Sequence, residues 1–101
     1  MKNNNKVIAE FMGVYSEENG YDYTKIGNKG VSYHRSWDWL MPVVDKMESM
    51  GCVVKHHHGD CIVYKIDEKE NYRCIIEMIG LNKLESTYKA VVEFIKNQET
   101  L

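Results

Sequence analysis

An α+β domain is the fold this 101-residue chain predicts: a three-stranded antiparallel sheet packed with helices on both faces, an α/β/α sandwich. Three observations carry it. Apolar stripes at helical spacing stand near the start, in the centre and at the end of the chain. Three strand-like runs follow one another between the second stripe and the third. The last of those runs is apolar on both sides, which suggests a cover for each face.

The first helix is expected over Asn5–Met12. An asparagine run supplies N-cap candidates, Val7, Ile8, Phe11 and Met12 recur at helical spacing, and Gly13 can end the helix in the left-handed region. Val14–Arg35 then reads as a long irregular segment, rich in Gly, Asn and Tyr, with short strands expected at Tyr21–Ile26 and Val31–His34. A second helix is expected over Trp37–Met50, where Leu40, Val43, Val44, Met47 and Met50 make the stripe and Gly51 stops it. Pro42 lies inside it. With Ser36 as N-cap the proline removes a hydrogen bond one turn in; with Asp38 as N-cap it falls nearer the first turn. A loose or 3₁₀ first turn over Trp37–Leu40 accommodates both.

Cys52–His57 and Cys61–Ile66 flank His58-Gly59-Asp60, a hairpin signal. Tyr72–Ile79 is the third strand. Strict alternation puts Cys74, Ile76 and Met78 on one side, and Arg73, Ile75, Glu77 and Ile79 on the other. Asn82 with Glu85 three residues on marks the last N-cap, and Leu84, Tyr88, Val91, Val92 and Ile95 form the closing stripe.

Composition narrows the function classes. Thirteen basic residues are interspersed with 15 acidic ones for a net charge of −2, so no basic face reads as a nucleic-acid footprint. No apolar run is long enough to span a membrane, and the N-terminus lacks a signal-peptide core, so a cytoplasmic protein is expected. The three cysteines form no CxxC pair and lie in apolar runs, which reads as reduced core thiols.

The segments KVIAEFMG, YHRSWDWLMPVVDKME and STYKAVVEFIKN together resemble small proteins of bacteriophages and prophages of Bacteroides-like bacteria. More distantly they resemble the phage ABA sandwich family. The resemblance covers most of the chain, although the hairpin and the Tyr15–Asn28 loop fall outside it. It implies a three-layer fold and a phage origin, and no settled activity. The shared positions, such as Ile8, Trp39, Leu40, Val43 and Val91, are mostly apolar and at core spacing.

Three chemistries are weighed. In His56-His57-His58 only His56 and His58 can share a strand face, joined by Asp60, Cys61 or His34; a solvated hairpin end explains the run as well, and no metal site is assigned. Cys61 with His58, or Cys52 with His56, could pair for catalysis, but thiols in apolar strands are poor nucleophiles. No P-loop, GxSxG, HExxH or Rossmann pattern is present, so no enzyme and no cofactor is expected. The third is binding. Six of the nine Tyr and Trp residues precede position 40, among cations that include Lys25, Lys29, His34 and Arg35. Rings stack on bases and guanidinium groups grip phosphates. The expected ligand-binding set is therefore Tyr33, Arg35 and Trp37, with Tyr23, Lys25 and His34, beside a helix N-terminus. Core anchoring is the competing role for the tryptophans, above all for Trp39. The leading expectation is a homo-oligomeric counter-defence protein that sequesters a host signalling nucleotide. The runner-up is an interaction protein, docking on a host protein or acting in phage structure, which would show an exposed apolar patch and no deep polar pocket.

Overall fold

The computed structural model describes residues 3–27 and 31–99; Asn28 and Lys29, the latter among the expected cations, lie outside these. In chain order the elements are α1 (Asn4–Phe11), β1 (Tyr15–Ser16), β2 (Gly20–Tyr21), α2 (Tyr23–Ile26), α3 (Trp37–Ser49), β3 (Cys52–His57), β4 (Asp60–Ile66), β5 (Tyr72–Met78) and α4 (Lys83–Glu99). β3, β4 and β5 form one antiparallel sheet with β4 in the centre, and β1–β2 is a separate small hairpin. The α+β class and the three-stranded sheet are as the sequence predicts.

Side-chain caps set the starts of α1 and α4, and a backbone carbonyl starts α3. Asn3 caps α1 by accepting from the Lys6 N–H at 2.9 Å. Asn82 does the same for α4, accepting from Glu85 N–H at 2.9 Å. Ser36, not Asp38, occupies the N-cap position of α3. Its carbonyl takes both the Trp39 and the Leu40 N–H, at 3.2 and 3.0 Å, so the first turn is a shared 3₁₀/α turn. Pro42 sits within the helix on its exposed side, where water can solvate the carbonyl left without a partner.

The irregular segment departs from expectation twice. Tyr21–Ile26 is not one strand: Tyr21 ends β2, and Asp22 then accepts from the Thr24 N–H at 3.1 Å and its hydroxyl at 2.5 Å, a cap that starts the short α2. Val31–His34 is a turn, in which the Ser32 carbonyl accepts from the N–H groups of Arg35 and Ser36.

The core lies between the sheet and α3 and α4. Leu40, Val43 and Met47 from α3 are buried against Cys52, Cys61, Val63 and Ile76 of the sheet and Val91, Phe94 and Ile95 of α4. α1 packs on α4, with Phe11 and Phe94 edge to face at 6.3 Å. Gly80 lets α4 come this close to the end of β5: a Cβ there would stand 2.6 Å from the Ser86 nitrogen.

Cover on both faces of the sheet is the expectation that changes. Cys52, Val54, Cys61, Val63, Ile76 and Met78 point toward the helices. Among the described residues, the outward set (Val53, Ile62, Tyr64, Ile66 and Tyr72) is only half-buried or exposed and does not join the core cluster. A bulge explains part of the misleading signal. Val63 pairs with Ile76 but Tyr64 with Cys74, so Ile75 is the extra residue and alternation is broken there. Cys74 therefore shares the outer face with Tyr64, not the inner face with Ile76.

Candidate functional site

The expected ligand-binding set does not assemble. Tyr33 is 3% exposed and packs edge to face on Trp39 at 5.7 Å, so it is a core residue and no stacking platform. Burial, with Tyr21 nearby, pushes its hydroxyl pKa up to about 12. The alternation that would have paired Tyr33 with Arg35 on one face is absent, because these residues form a turn. Arg35 is exposed.

His34 serves as a structural tie. Asn5 donates its side-chain amide to His34 Nδ1 at 2.9 Å, and the Tyr88 hydroxyl donates to Asn5 Oδ1 at 3.1 Å. Tyr23 and Lys25 stand on α2, apart from that tie. Tyr23 is an exposed ring that extends the Tyr15–Tyr21 pair, whose centroids are 4.8 Å apart. Lys25 reaches Asp22 at 3.9 Å and the Gly13 carbonyl at 3.5 Å. Trp37 is half-buried, edge to face on His56 at 6.2 Å. Among the described residues, no hydrogen bond or ring contact joins Tyr23 or Lys25 to Arg35 or Trp37.

His56 belongs to a polar knot that the sequence reading missed. Its Nε2 is 2.6 Å from the Thr87 hydroxyl, and that hydroxyl already donates to the Lys83 carbonyl at 2.6 Å. The hydroxyl has one proton, so His56 Nε2 carries the hydrogen of this bond. Burial, aided by the Lys83 charge, lowers the His56 pKa and keeps the ring neutral. Cys61 lies beside the knot, and burial pushes its thiol up against a weaker opposing influence of the neighbouring Thr87 hydroxyl. Burial also raises Cys52. Thiols held protonated in this way lack the thiolate that cysteine catalysis uses. The signal for the knot was legible: His56 follows Cys52 and Val54 at period two on the inner face, and Thr87 stands between Leu84 and Val91 on the inner stripe of α4.

The histidine turn is tight. His58 and Gly59 both have positive φ, 52° and 88°, the backbone of a type I′ two-residue hairpin. His56 points in, while His57 and His58 are exposed. Among the described residues, no three His, Cys, Asp or Glu side chains come together to hold a metal ion.

Two surface features remain. One is a half-open pocket of about 430 Å³ beside the C-terminal part of α4, with Ile76 and Phe94 on its apolar side and Lys65 and Arg73 at its edge. The Lys65 ammonium there already donates to the Met50 carbonyl at 2.9 Å. The other is the outer face of the sheet. Tyr64 and Tyr72 lie 6.2 Å apart on it, and Lys55 reaches across to the Tyr72 ring at 5.6 Å. Beyond its end Ile79 and Leu81 are 73% and 90% exposed.

Fold and surface together define a small α+β domain whose antiparallel sheet is packed by helices on one side and open on the other. No protein-family model matches the sequence, and neither a curated protein nor a solved structure is significantly similar to it. No described helix is long and apolar enough to cross a membrane.

Proposed function

We propose that this chain is a non-catalytic interaction protein that docks on a protein partner through the open face of its sheet. One observation carries the reading: the half-buried Val53, Ile62, Tyr64 and Ile66 and the exposed Tyr72 neighbour one another on the sheet face that lies outside the core. Scattered exposed apolar residues are ordinary, but a continuous face of them marks a contact surface. The aromatic pair also fits, since tyrosines are enriched where proteins meet. The sequence resemblance to phage proteins supports a partner in the cytoplasm of an infected cell. Nucleotide sequestration, the leading expectation from sequence, has less support, because its central ring, Tyr33, is inside the core.

Cys74 makes the test direct. It is the exposed cysteine, it lies on the open face, and Cys52 and Cys61 are buried. A photo-crosslinker attached there and activated in a bacterial lysate is expected to give discrete protein adducts that Ile62→Asp abolishes. A smear that Ile62→Asp leaves unchanged would remove the reading. A calorimetric titration with cyclic di- and trinucleotides tests the competing one, which gains only from saturable heat.

A further inference from the structure

The open face is self-complementary when turned onto itself. Each of its rows runs across β3, β4 and β5. In one row Lys55 pairs with Ile62, and Ile62 with Glu77, so a cation and an anion flank an apolar centre. In the next row Val53, Tyr64 and Cys74 stand side by side. In the third, Ile66 lies between Tyr72 and the strand-leading Gly51, whose carbonyl accepts from the Ile66 N–H at 3.1 Å.

We infer that the first occupant of this face is a second copy of the chain, related by a two-fold axis parallel to β4. The inference rests on the docking role proposed above. Such an axis keeps every row in place and exchanges its ends. Lys55 of one copy then lies opposite Glu77 of the other, twice. Ile62 meets Ile62 and Tyr64 meets Tyr64 along the axis. Tyr72, 58% exposed in the single chain, lies over a glycine with no side chain to obstruct it. The arrangement is the isologous contact that dimers favour, and it packs two sheets face to face, about 10 Å apart, as in a β-sandwich. An axis perpendicular to β4 through Ile62 fails on charge, because it brings Lys55 onto Lys55 and Glu77 onto Glu77. Asp60 would face its own copy at the rim, where water screens the repulsion.

The size of the face sets the strength. Three strands about 4.8 Å apart and roughly 20 Å long give a footprint of about 300 Å² per copy and about 600 Å² in total, below the size of standard specific interfaces. Association on so small a footprint is weak, a dimer that forms toward the upper end of the concentration range and can exchange for another partner.

Sedimentation equilibrium on the full chain, from 1 µM to about 500 µM, reads the inference. The wild type is expected to go from monomer to dimer. Lys55→Glu and Glu77→Lys should each raise the dissociation constant at least ~10-fold, because each sets like charges opposite one another twice. The double variant should return to within ~3-fold of wild type. Both residues are exposed, and melting curves taken on dilute monomer check that the fold is kept. Ile62→Lys, on the axis, should abolish the dimer outright. A wild type that stays monomeric throughout overturns the inference, as does a double variant no better than the singles. Failure of the docking role reads differently: crosslinks from Cys74 to other proteins would preserve that role while the dimer falls, and a face that gives no discrete adduct removes both.

Discussion

Along β4, neighbouring residues live in different surroundings. Cys61 and Val63 are fully buried against α4, while Ile62 and Tyr64, one residue away on the same strand, stay outside the core. The flanking strands repeat the contrast. β3 turns Cys52, Val54 and His56 inward, and Val53, Lys55 and His57 outward. Composition barely separates the two faces, since both are largely apolar. Cover separates them: α3 and α4 close one face, and among the described residues the other has only the stem of Lys55 and the rings of Tyr64 and Tyr72 lying across it. An apolar residue on a strand therefore says that a face can be buried, and not which element buries it.

Three experiments can break or sharpen this contrast. The largest difference should appear in the thiols. Cys74 is expected to react with a maleimide at least ~100-fold faster than Cys52 or Cys61, which wait for the structure to open. Mass spectrometry should show one label on the native chain and three in denaturant. Equal rates would mean that the inner face is not closed.

Truncation comes next. Val63→Ala removes two buried methyl groups and leaves a cavity, at a cost of about 2 kcal/mol. Ile62→Ala, although it removes more atoms, should cost less than about 1 kcal/mol in the monomer, because its site is already partly wet. Urea titrations of dilute protein measure both, and the reverse order would place the cover on the other face.

The smallest effect concerns His56. Its folded pKa lies below the ordinary value of 6.5, so the unfolded chain binds a proton more readily. The stability this neutral ring contributes is complete above the unfolded pKa and is lost as pH falls through the folded one. Melting temperature should therefore drop as pH falls below about 6.5, and His56→Gln should flatten that drop. The lowered carboxyl pKa values of Asp22 and Glu85, set chiefly by hydrogen bonds from Thr24 and Lys89, act in a separate, more acid window. A drop unchanged in the variant would assign the titration elsewhere.

These contrasts show where the sequence was legible. Periodicity located α1, α3 and α4 to within a residue or two at most ends, because each buries one stripe and ends on a cap chemistry that is written locally. The hairpin was equally plain, since His58-Gly59 is a tight turn between two apolar runs. Most of the misses lie where distant contacts decide; Asp22 is a local one, a turn residue like any other until its side chain caps α2 through Thr24. Tyr33 resembles Tyr23 in sequence, but one is in the core and the other in solvent, and only the packing of Trp39 distinguishes them. The bulge at Ile75 hid the true side of Cys74, and it is a property of the pairing with β4. The open face was half legible: the both-sided apolarity of the strands was visible, but which face the described helices cover is decided by tertiary packing.

The Asn5 tie has a consequence in time. It joins residues separated by 29 positions on one side and 83 on the other. Bringing such distant points together costs about 3 and about 4 kcal/mol of chain entropy, against about 1 kcal/mol for a tight hairpin. The β3–β4 hairpin and its β5 neighbour can therefore form while the N-terminal helix is still searching. α1 is expected to be the last piece to dock, and pulse-labelled hydrogen exchange during refolding should find its amides protected after those of β4. On this account the N-terminal helix is a latch that fastens after the sheet has already acquired its two sides.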